Sequence, residues 1–411
     1  MLNIVAVNLM NVNNKLFDKL RERLLNSISL VHKAGIFAAG ISLLICILMY
    51  AQDCCPYPIS DKLDAFCWIQ SFIYKEPLPD DVLLINTSND KEIVEYNGSY
   101  IPISDRSKIV EFLKVADSCK SYKAILFDLY FETEITTSSD SALGALLADL
   151  PRIIIIRATD IKGSISSLQF EDRYDTKVAY NSFYTTILQS DFSRYPYYQN
   201  GEASAALRLY SMMGGARDTI KRKGPLFFSH KRLCTVAPIT ALSRVLYSFN
   251  PDGTPSFTNC NIGRDYLERV SLDSLSNEMK DKIIIIGDFE NDVYDAYGRK
   301  VPGSLVAYGA YKLLYDGRHI ITIPRFLLQY IFYFVLCLLL VSDTSKKIHE
   351  RLEKKRFALF ILSFISYSAF LTIWSLIVYI PNKIIICTFV PSVVFSIITK
   401  LQGCGYKMYR K

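Results

Sequence analysis

The chain has 411 residues, 50% of them hydrophobic, and a formal net charge of +7. It is longer than one typical domain and more apolar than a purely soluble one. The positive charge flanks apolar runs, whereas 52–323 holds 30 Lys and Arg against 35 Asp and Glu. The basic balance therefore points to anionic lipid and excludes nucleic acid as its reason.

Residues 1–33 form a basic N-terminal segment with Lys15, Lys19, Arg21, Arg23 and Lys33. Residues 34–51 follow as an almost uncharged run, close to the roughly 17 to 25 residues a membrane-crossing helix needs. A cleaved signal peptide is the rival reading. Its leader would be over thirty residues long, and Met49-Tyr50-Ala51 lacks small residues at both required positions, so an uncleaved anchor is expected.

After a short amphipathic stretch between Gln52 and Glu76, Asp81 to Ser88 (DVLLINTS) reads as the first strand and Tyr96 to Ile103 as a loop or small hairpin. Ser104-Asp105 caps a helix whose Ile109, Phe112, Leu113 and Ala116 recur at three and four. Tyr122 to Phe131 (YKAILFDLYF) is a second strand, with Asp128 interrupting its apolar run near the C-terminal end. Ser138-Ser139-Asp140 caps another helix, which Pro151 stops, and Arg152 to Ala158 (RIIIIRA) is a third strand. The order β, α, β, α, β without alternation predicts a mainly parallel sheet buried on both faces.

From Asp160 to about Phe257 the pattern loosens, with Tyr195-Pro196-Tyr197-Tyr198 and helices near Glu202 to Met213 and Ile239 to Phe249. The aromatic stretch from Phe170 to Tyr198, with Arg173 and Arg194, reads either as a partner or sugar surface or as a loosely packed excursion over the sheet. Leu267 to Met279 then leads to Lys282 through Gly303 (KIIIIGDFENDVYDAYGRKVPG): four isoleucines closed by Gly287-Asp288, an acidic loop, and Pro302-Gly303 before a helix from Ser304 to Tyr315. Strand, loop and helix form a half-unit of a doubly wound α/β domain, where ligands sit outside the carboxyl ends of the strands.

Three further apolar runs, at 324–342, 357–380 and 384–400, are expected to span a membrane, with a basic loop at 343–356 and a basic tail at 401–411. Because Lys and Arg stay on the cytoplasmic side of short loops, the expected topology has four spans and both termini cytoplasmic. Residues 52–323 are then an extracytoplasmic α/β domain. Six cysteines would face outward, namely Cys54, Cys55, Cys67, Cys119, Cys234 and Cys260; an even number in an oxidising compartment suggests disulfides, in any of fifteen pairings. With no CxxC pair and only His230 and His319 in that segment, no metal is expected.

Asp128 and Asp288 sit at the ends of two strands that a doubly wound order can place side by side, with Asn86 and Thr87 at the end of a third. Paired carboxylates there either bind a cation or cationic ligand, act as acid and base, or cap the loops that follow. Asp292 belongs to the acidic loop, whose spacing does not match an EF-hand, and Gly303 opens a helix whose amides suit an anion. The candidate ligand-binding set is Asn86, Asp128, Asp288, Asp292 and Gly303, with no catalytic residue and no cofactor. No nucleophile elbow, Walker loop or Rossmann fingerprint is present.

Phe127-Asp128 closing a strand, the IIIIGD run ending at Asp288, the acidic loop with Asp292 and Asp295, and Pro302-Gly303 before an alanine-containing helix together resemble the CHASE type two family. These are extracytoplasmic sensory domains of bacteria, and the resemblance covers nearly the whole chain. It implies a non-enzymatic sensor for a small-molecule or envelope ligand, set in the lipid bilayer of a cell inner membrane with its α/β domain periplasmic, that relays its state to a protein partner in or under the membrane. Members usually continue into an output module, whereas here Lys411 follows the last apolar run closely, so a stand-alone member is expected. The loop reads Asp295-Ala296-Tyr297-Gly298 where the family tends to carry a threonine-proline pair, so a shared ligand does not follow. A structural or assembly subunit of an envelope complex is the alternative, an outer hydrolase a third, and a homodimer is compatible with any of them.

Overall fold

Branched apolar runs without polar alternation have no wet face to offer, so they fold as strands covered on both sides. The computed structural model describes residues 35–48, 80–129, 131, 135–157, 177–180, 194–199, 201–214, 220–224, 226–234, 237–238, 260–261, 272–296, 299–341, 356–382 and 388–408. The chain divides into two units, 51–321 with 372–387, and 1–50 with 322–371 and 388–411.

In the larger unit, β1 (Val82–Asn86) is followed by the hairpin β2 (Lys91–Tyr96) and β3 (Ser99–Ser104), then α1 (Arg106–Cys119), β4 (Ala124–Asp128), α2 (Asp140–Asp149), β5 (Ile153–Arg157) and β6 (Val178–Tyr180). Short strands β7 (Arg194–Tyr195), β8 (Tyr198–Gln199) and β9 (Glu202–Ala203) lead into α3 (Ala205–Gly214). A meander of β10 (Lys221–Lys223), β11 (Leu226–Ser229) and β12 (Arg232–Cys234) comes next, then β13 (Ala237–Pro238), β14 (Cys260–Asn261) and α4 (Leu272–Met279). The chain returns through β15 (Ile283–Gly287), the hairpin β16 (Val293–Ala296) and β17 (Arg299–Pro302), and α5 (Gly303–Tyr315).

The central sheet has six strands in the order β14-β1-β15-β4-β5-β6, and every neighbouring pair is parallel. Its alternate residues feed two cores. Leu83, Ile85, Phe127, Ile155, Ile284 and Ile286 pack against Phe112 and Leu113 of α1, Leu147 of α2 and Met279 of α4. Leu84, Leu126, Ile154, Ile283 and Ile285 pack against Leu209 of α3 and Val306 and Ala310 of α5. Each fully buried isoleucine contributes about 1.5–3 kcal/mol, which makes β15, with four of them, the apolar centre of the unit.

The chain leaves β1 and β4 toward the α1 and α2 face, but leaves β15, which lies between them, toward α5. That reversal makes the carboxyl edge of the sheet a topological switch point, the place where ligands sit in doubly wound folds. The expected parallel α/β sheet is therefore present, and larger than the three strands and organising strand foreseen.

Asp105 caps α1 by accepting from the N–H groups of Ser107 (3.0 Å) and Lys108 (3.2 Å). Ser139, expected to help cap α2, makes no such bond. Asp140 accepts instead from the Thr137 N–H and hydroxyl, both at 2.9 Å, and from Nη1 of the buried Arg106 at 2.5 Å. Arg106 also donates to the Ile135 carbonyl at 3.0 Å and lies 5.1 Å from the centre of the Phe131 ring. One buried ion pair thus ties together the first turns of α1 and α2.

The smaller unit holds the helix over 35–48, the helix Ile323–Val341, most of the helix Arg356–Asn382 and the helix Phe389–Met408. Phe332 stacks on Phe370 at 5.8 Å, Tyr333 meets Phe395 at 6.1 Å, and the Tyr367 and Thr399 hydroxyls are 2.9 Å apart. Ser42, Ser392, Ser396 and Thr399 turn their hydroxyls onto carbonyls one turn back.

Among the described residues no helix is long and apolar enough to cross a membrane. The described helical residues 35–48 account for about 21 Å of rise at 1.5 Å per residue. Arg325 and Gln329 are buried in the opening turns of the second, Ser363, Ser366, Ser368, Thr372 and Ser375 stud the third, and Lys400, Gln402 and Lys407 interrupt the fourth. This overturns the four transmembrane helices expected at 34–51, 324–342, 357–380 and 384–400. The multi-pass inner-membrane localisation, the cytoplasmic termini and the extracytoplasmic placement of 52–323 fall with them.

The disulfide expectation is corrected at two positions. Cys119 and Cys234 are free thiols, and burial pushes the Cys234 thiol up to about 12. Cys54, Cys55 and Cys67 lie outside the described residues, as do Phe170, Arg173 and the helix expected near Ile239 to Phe249.

Replacing Asp140 with alanine leaves the Arg106 charge buried without its carboxylate, and the expected loss is about 3–5 kcal/mol in urea unfolding. A loss below about 1 kcal/mol, the level of an exposed pair, rejects the pair as the tie between the helices.

Candidate functional site

The site begins where β15 runs out of room. A Cβ on Gly287 would lie 3.1 Å from both Phe289 Cε1 and Ser304 Oγ, and 3.4 Å from the Asp128 carbonyl oxygen. Phe289 and Ser304 are both buried, so neither yields easily, and glycine lets the first turn of α5 close onto the strand end. The register sets Asn86, Gly287 and Asp128 side by side on β1, β15 and β4.

Asn86 is fully engaged. Its Oδ1 accepts from the Ser88 N–H (3.0 Å), the Ser88 hydroxyl (2.5 Å) and the Phe289 N–H (3.2 Å), while its Nδ2 donates to Glu290 Oε1 (3.2 Å). It staples the loop after β1 to the loop after β15. The amide of Gly303, expected to serve an anion, donates instead to the Asp292 carbonyl at 3.2 Å.

Asp288 closes the same staple. It accepts from the Ser88 hydroxyl at 2.7 Å, the Lys91 ammonium at 2.9 Å, and the Asn291 N–H and Nδ2, both at 3.0 Å. Partial burial pushes its carboxyl up, but the bonds from Ser88, Asn291 and Lys91 outweigh that and hold it at about 2. Asp288 is thus an ionised loop cap.

Asp128 differs. Its Oδ2 is buried and has no hydrogen-bond partner among the described residues. Burial, then the nearby charge of Asp292, raises its carboxyl well above the usual range. Asp292 is raised as well, first by burial and then by Asp288, although it accepts a hydrogen bond from the Tyr294 hydroxyl. Burial, and the charges of Asp292 and Asp128 beside it, raise the Tyr294 phenol in turn.

Tyr195 completes the group. Its ring is buried and its hydroxyl accepts N–H bonds from Ala205 and Ala206 in the first turn of α3. Burial dominates the rise of this phenol, and Asp128 adds to it. The structure therefore brings Asp128 and Asp292 together with Tyr195 and Tyr294 on the α3 and α5 side, and sets Asn86, Asp288 and Gly303 to holding the loops.

Thr87 also has a buried hydroxyl without a partner among the described residues. It continues the alternation of Leu83 and Ile85 and so sits on the α1 and α2 side, away from Asp128. The side chain of Asp295 lies outside the described residues.

Sequence reasoning missed Ser88, Lys91, Tyr195 and Tyr294. Tyr294 had a signal: it follows Asp292 by two positions, the spacing that puts residues on one face of a strand. Tyr195 falls in the aromatic stretch read as a partner or sugar surface or as an excursion over the sheet, yet Tyr195 and Tyr197 are fully buried. Among the described residues no three His, Cys, Asp or Glu side chains converge as metal ligands. No family model, curated protein or solved structure matches the chain, so the CHASE type two resemblance stands on its short motifs.

The two strand-end aspartates predict opposite pH behaviour. The Asp288 carboxyl lies below its ordinary 3.8, so its contribution is present above that value and is lost as pH falls toward about 2. Asp288→Ala should flatten the acid limb of a stability profile; an unchanged limb rejects the assignment. The Asp128 carboxyl lies above 3.8, so ionising it costs folded-state stability as pH rises past that value. Asp128→Asn should raise the melting temperature at pH 7 and make no difference at pH below about 4. A lower melting temperature at pH 7 contradicts the assignment.

Proposed function

We propose that 80–321 is a binding module for a small organic cation, an amine, taken up at the carboxyl edge of the sheet by Asp128 and Asp292. The observation that carries this is the buried Oδ2 of Asp128, which has no hydrogen-bond partner among the described residues, at the topological switch point. A buried acceptor with no donor costs about 1–3 kcal/mol, and a ligand N–H recovers it. A cation also relieves the repulsion between the two carboxyls, which neutral hydrogen-bonding ligands do not. The buried Tyr195 and the partly buried Tyr294 lie beside the same carboxyls, and aromatic rings are residue types that suit an ammonium.

Binding without turnover is the reading, with occupancy passed to a separate protein partner. α5 supports the relay: its first amide hangs on the Asp292 carbonyl, and the helix runs from there to Tyr315 before the chain reaches Ile321 and the helical unit. A ligand that redirects Asp292 pulls on the first turn of α5.

Putrescine and its neutral analogue 1,4-butanediol separate charge from shape. Putrescine is expected to raise the melting temperature of the full chain and to lose that effect in Asp128→Asn, while the diol has none; equal stabilisation by both, or by putrescine in the variant, sinks the proposal. Hydrogen exchange in α5 should slow on putrescine binding, and unchanged exchange there removes the relay.

A further inference from the structure

Asp128 and Asp292 are brought together by main-chain bonds, not by their carboxyls. Asp128 is the last residue of β4, in register with Gly287 at the end of β15. The turn that follows Gly287 holds Asp292 at both ends: its N–H donates to the Asp288 carbonyl and its carbonyl accepts from the Gly303 N–H, each at 3.2 Å. Asp292 is thereby clamped between the end of β15 and the first turn of α5, whatever charge its side chain carries.

The surroundings of the pair oppose two negative charges. Asp128 continues the alternation of Ala124 and Leu126, so it lies on the α3 and α5 side with the buried Tyr195 of β7. α3 meets the group through its Ala205 and Ala206 amides, which donate to the Tyr195 hydroxyl. From β16, Tyr294 donates its hydroxyl to Asp292. The turn itself adds Asp288, whose charge also acts on Asp292, and Glu290, which accepts from Asn86 Nδ2. The Lys91 ammonium of β2 donates to Asp288 at 2.9 Å and so spends its charge on the loop cap. Arg157 ends β5 in the alternation of Ile153 and Ile155, which puts it on the α1 and α2 side of the sheet. α5 opens with Gly303 and the buried, uncharged Ser304.

Two carboxyls fixed side by side at a buried strand end do not both ionise readily, because burial penalises each charge and each charge penalises the other. Both lie above the ordinary 3.8 for these reasons, and Asp128 lies well above it. With no other cation beside them the pair keeps a proton, which belongs to the two carboxyls jointly. That proton holds the oxygen that an ammonium needs.

We infer that the site takes up its amine in exchange for this proton, an inference that rests on the amine-binding reading of the same two carboxyls. The carboxylic O–H bond breaks, its electron pair stays on the oxygen, the proton passes to a base in solution, and an ammonium N–H takes its place. The net charge of the site is the same before and after. Binding therefore tightens as pH rises. Below the pKa of the shared proton the gain is about tenfold per pH unit, and above it the affinity levels off. The amine adds no slope of its own, since an alkyl ammonium, like that of lysine at about 10.4, stays charged throughout. Asp292→Asn removes the second charge, so Asp128 releases its proton at lower pH and the rise in affinity moves to lower pH with it. The turn survives that change because main-chain atoms hold it.

The test is calorimetry of putrescine binding to the full chain at about pH 5 and about pH 7, each in two buffers of different ionisation enthalpy. At the lower pH the heats are expected to differ between buffers, reporting proton release, and the affinity is expected to rise about tenfold or more toward the higher pH. In Asp292→Asn the pH-dependent rise should begin at lower pH than in the parent chain. Putrescine that binds with equal heat in both buffers and equal affinity at both pH values overturns the exchange and leaves amine binding standing. An unshifted rise in Asp292→Asn overturns the sharing of the proton. Absence of putrescine binding at either pH fails the amine reading itself, and the exchange falls with it.

Discussion

The α/β unit depends on the insertion of β15 between β1 and β4. Those two strands are hydrogen-bonded to β15 and not to each other, so the register of one strand sets the position of everything at the carboxyl edge. The isoleucines of β15 fill both cores, and Gly287 lets α5 approach. The Asn86, Ser88 and Asp288 bonds are the polar continuation of that register, satisfying groups that burial would otherwise leave without partners.

Within this frame the aspartates differ because their surroundings differ. Asp288 lies in a turn rich in donors and is held ionised, whereas Asp128 ends a strand against tyrosines and another carboxyl, where ionisation is opposed. The same residue type thus supplies a fixed structural anion at one strand end and a carboxyl whose ionisation is opposed at the next. Proximity in sequence says little about this; what decides is the count of donors each carboxyl meets.

Much of the sheet was legible. The runs at Val82–Asn86, Ala124–Asp128, Ile153–Arg157 and Ile283–Gly287 are apolar without alternation, and that pattern alone fixes two-sided burial. The short strands β6 and β14 were not, since two or three residues carry no period. Asn86, Asp128 and Asp288 could be placed at strand ends, but which was a staple and which had no partner among the described residues depends on groups two hundred positions away, such as Glu290 for Asn86. The helical segments misled for a related reason: hydropathy averages a run, while the Arg325, Gln329 and hydroxyl positions within it face particular neighbours. The tyrosines looked like a surface by composition, yet Tyr195 and Tyr197 spend their rings on the core.

The late arrival of β15 has a consequence for how the chain assembles. Until Ile283 to Gly287 is in place, β1 and β4 each expose a bare apolar edge, and the loop that must close to pair Leu83 with Ile284 spans about two hundred residues. Closing so long a loop is slow, because its entropy is spent before any contact repays it. During synthesis the other five strands of the sheet therefore wait in two parts, each adhesive, and the strand that joins them is the last of the six to emerge. A ribosome pausing upstream of Lys282 leaves this protein at its stickiest.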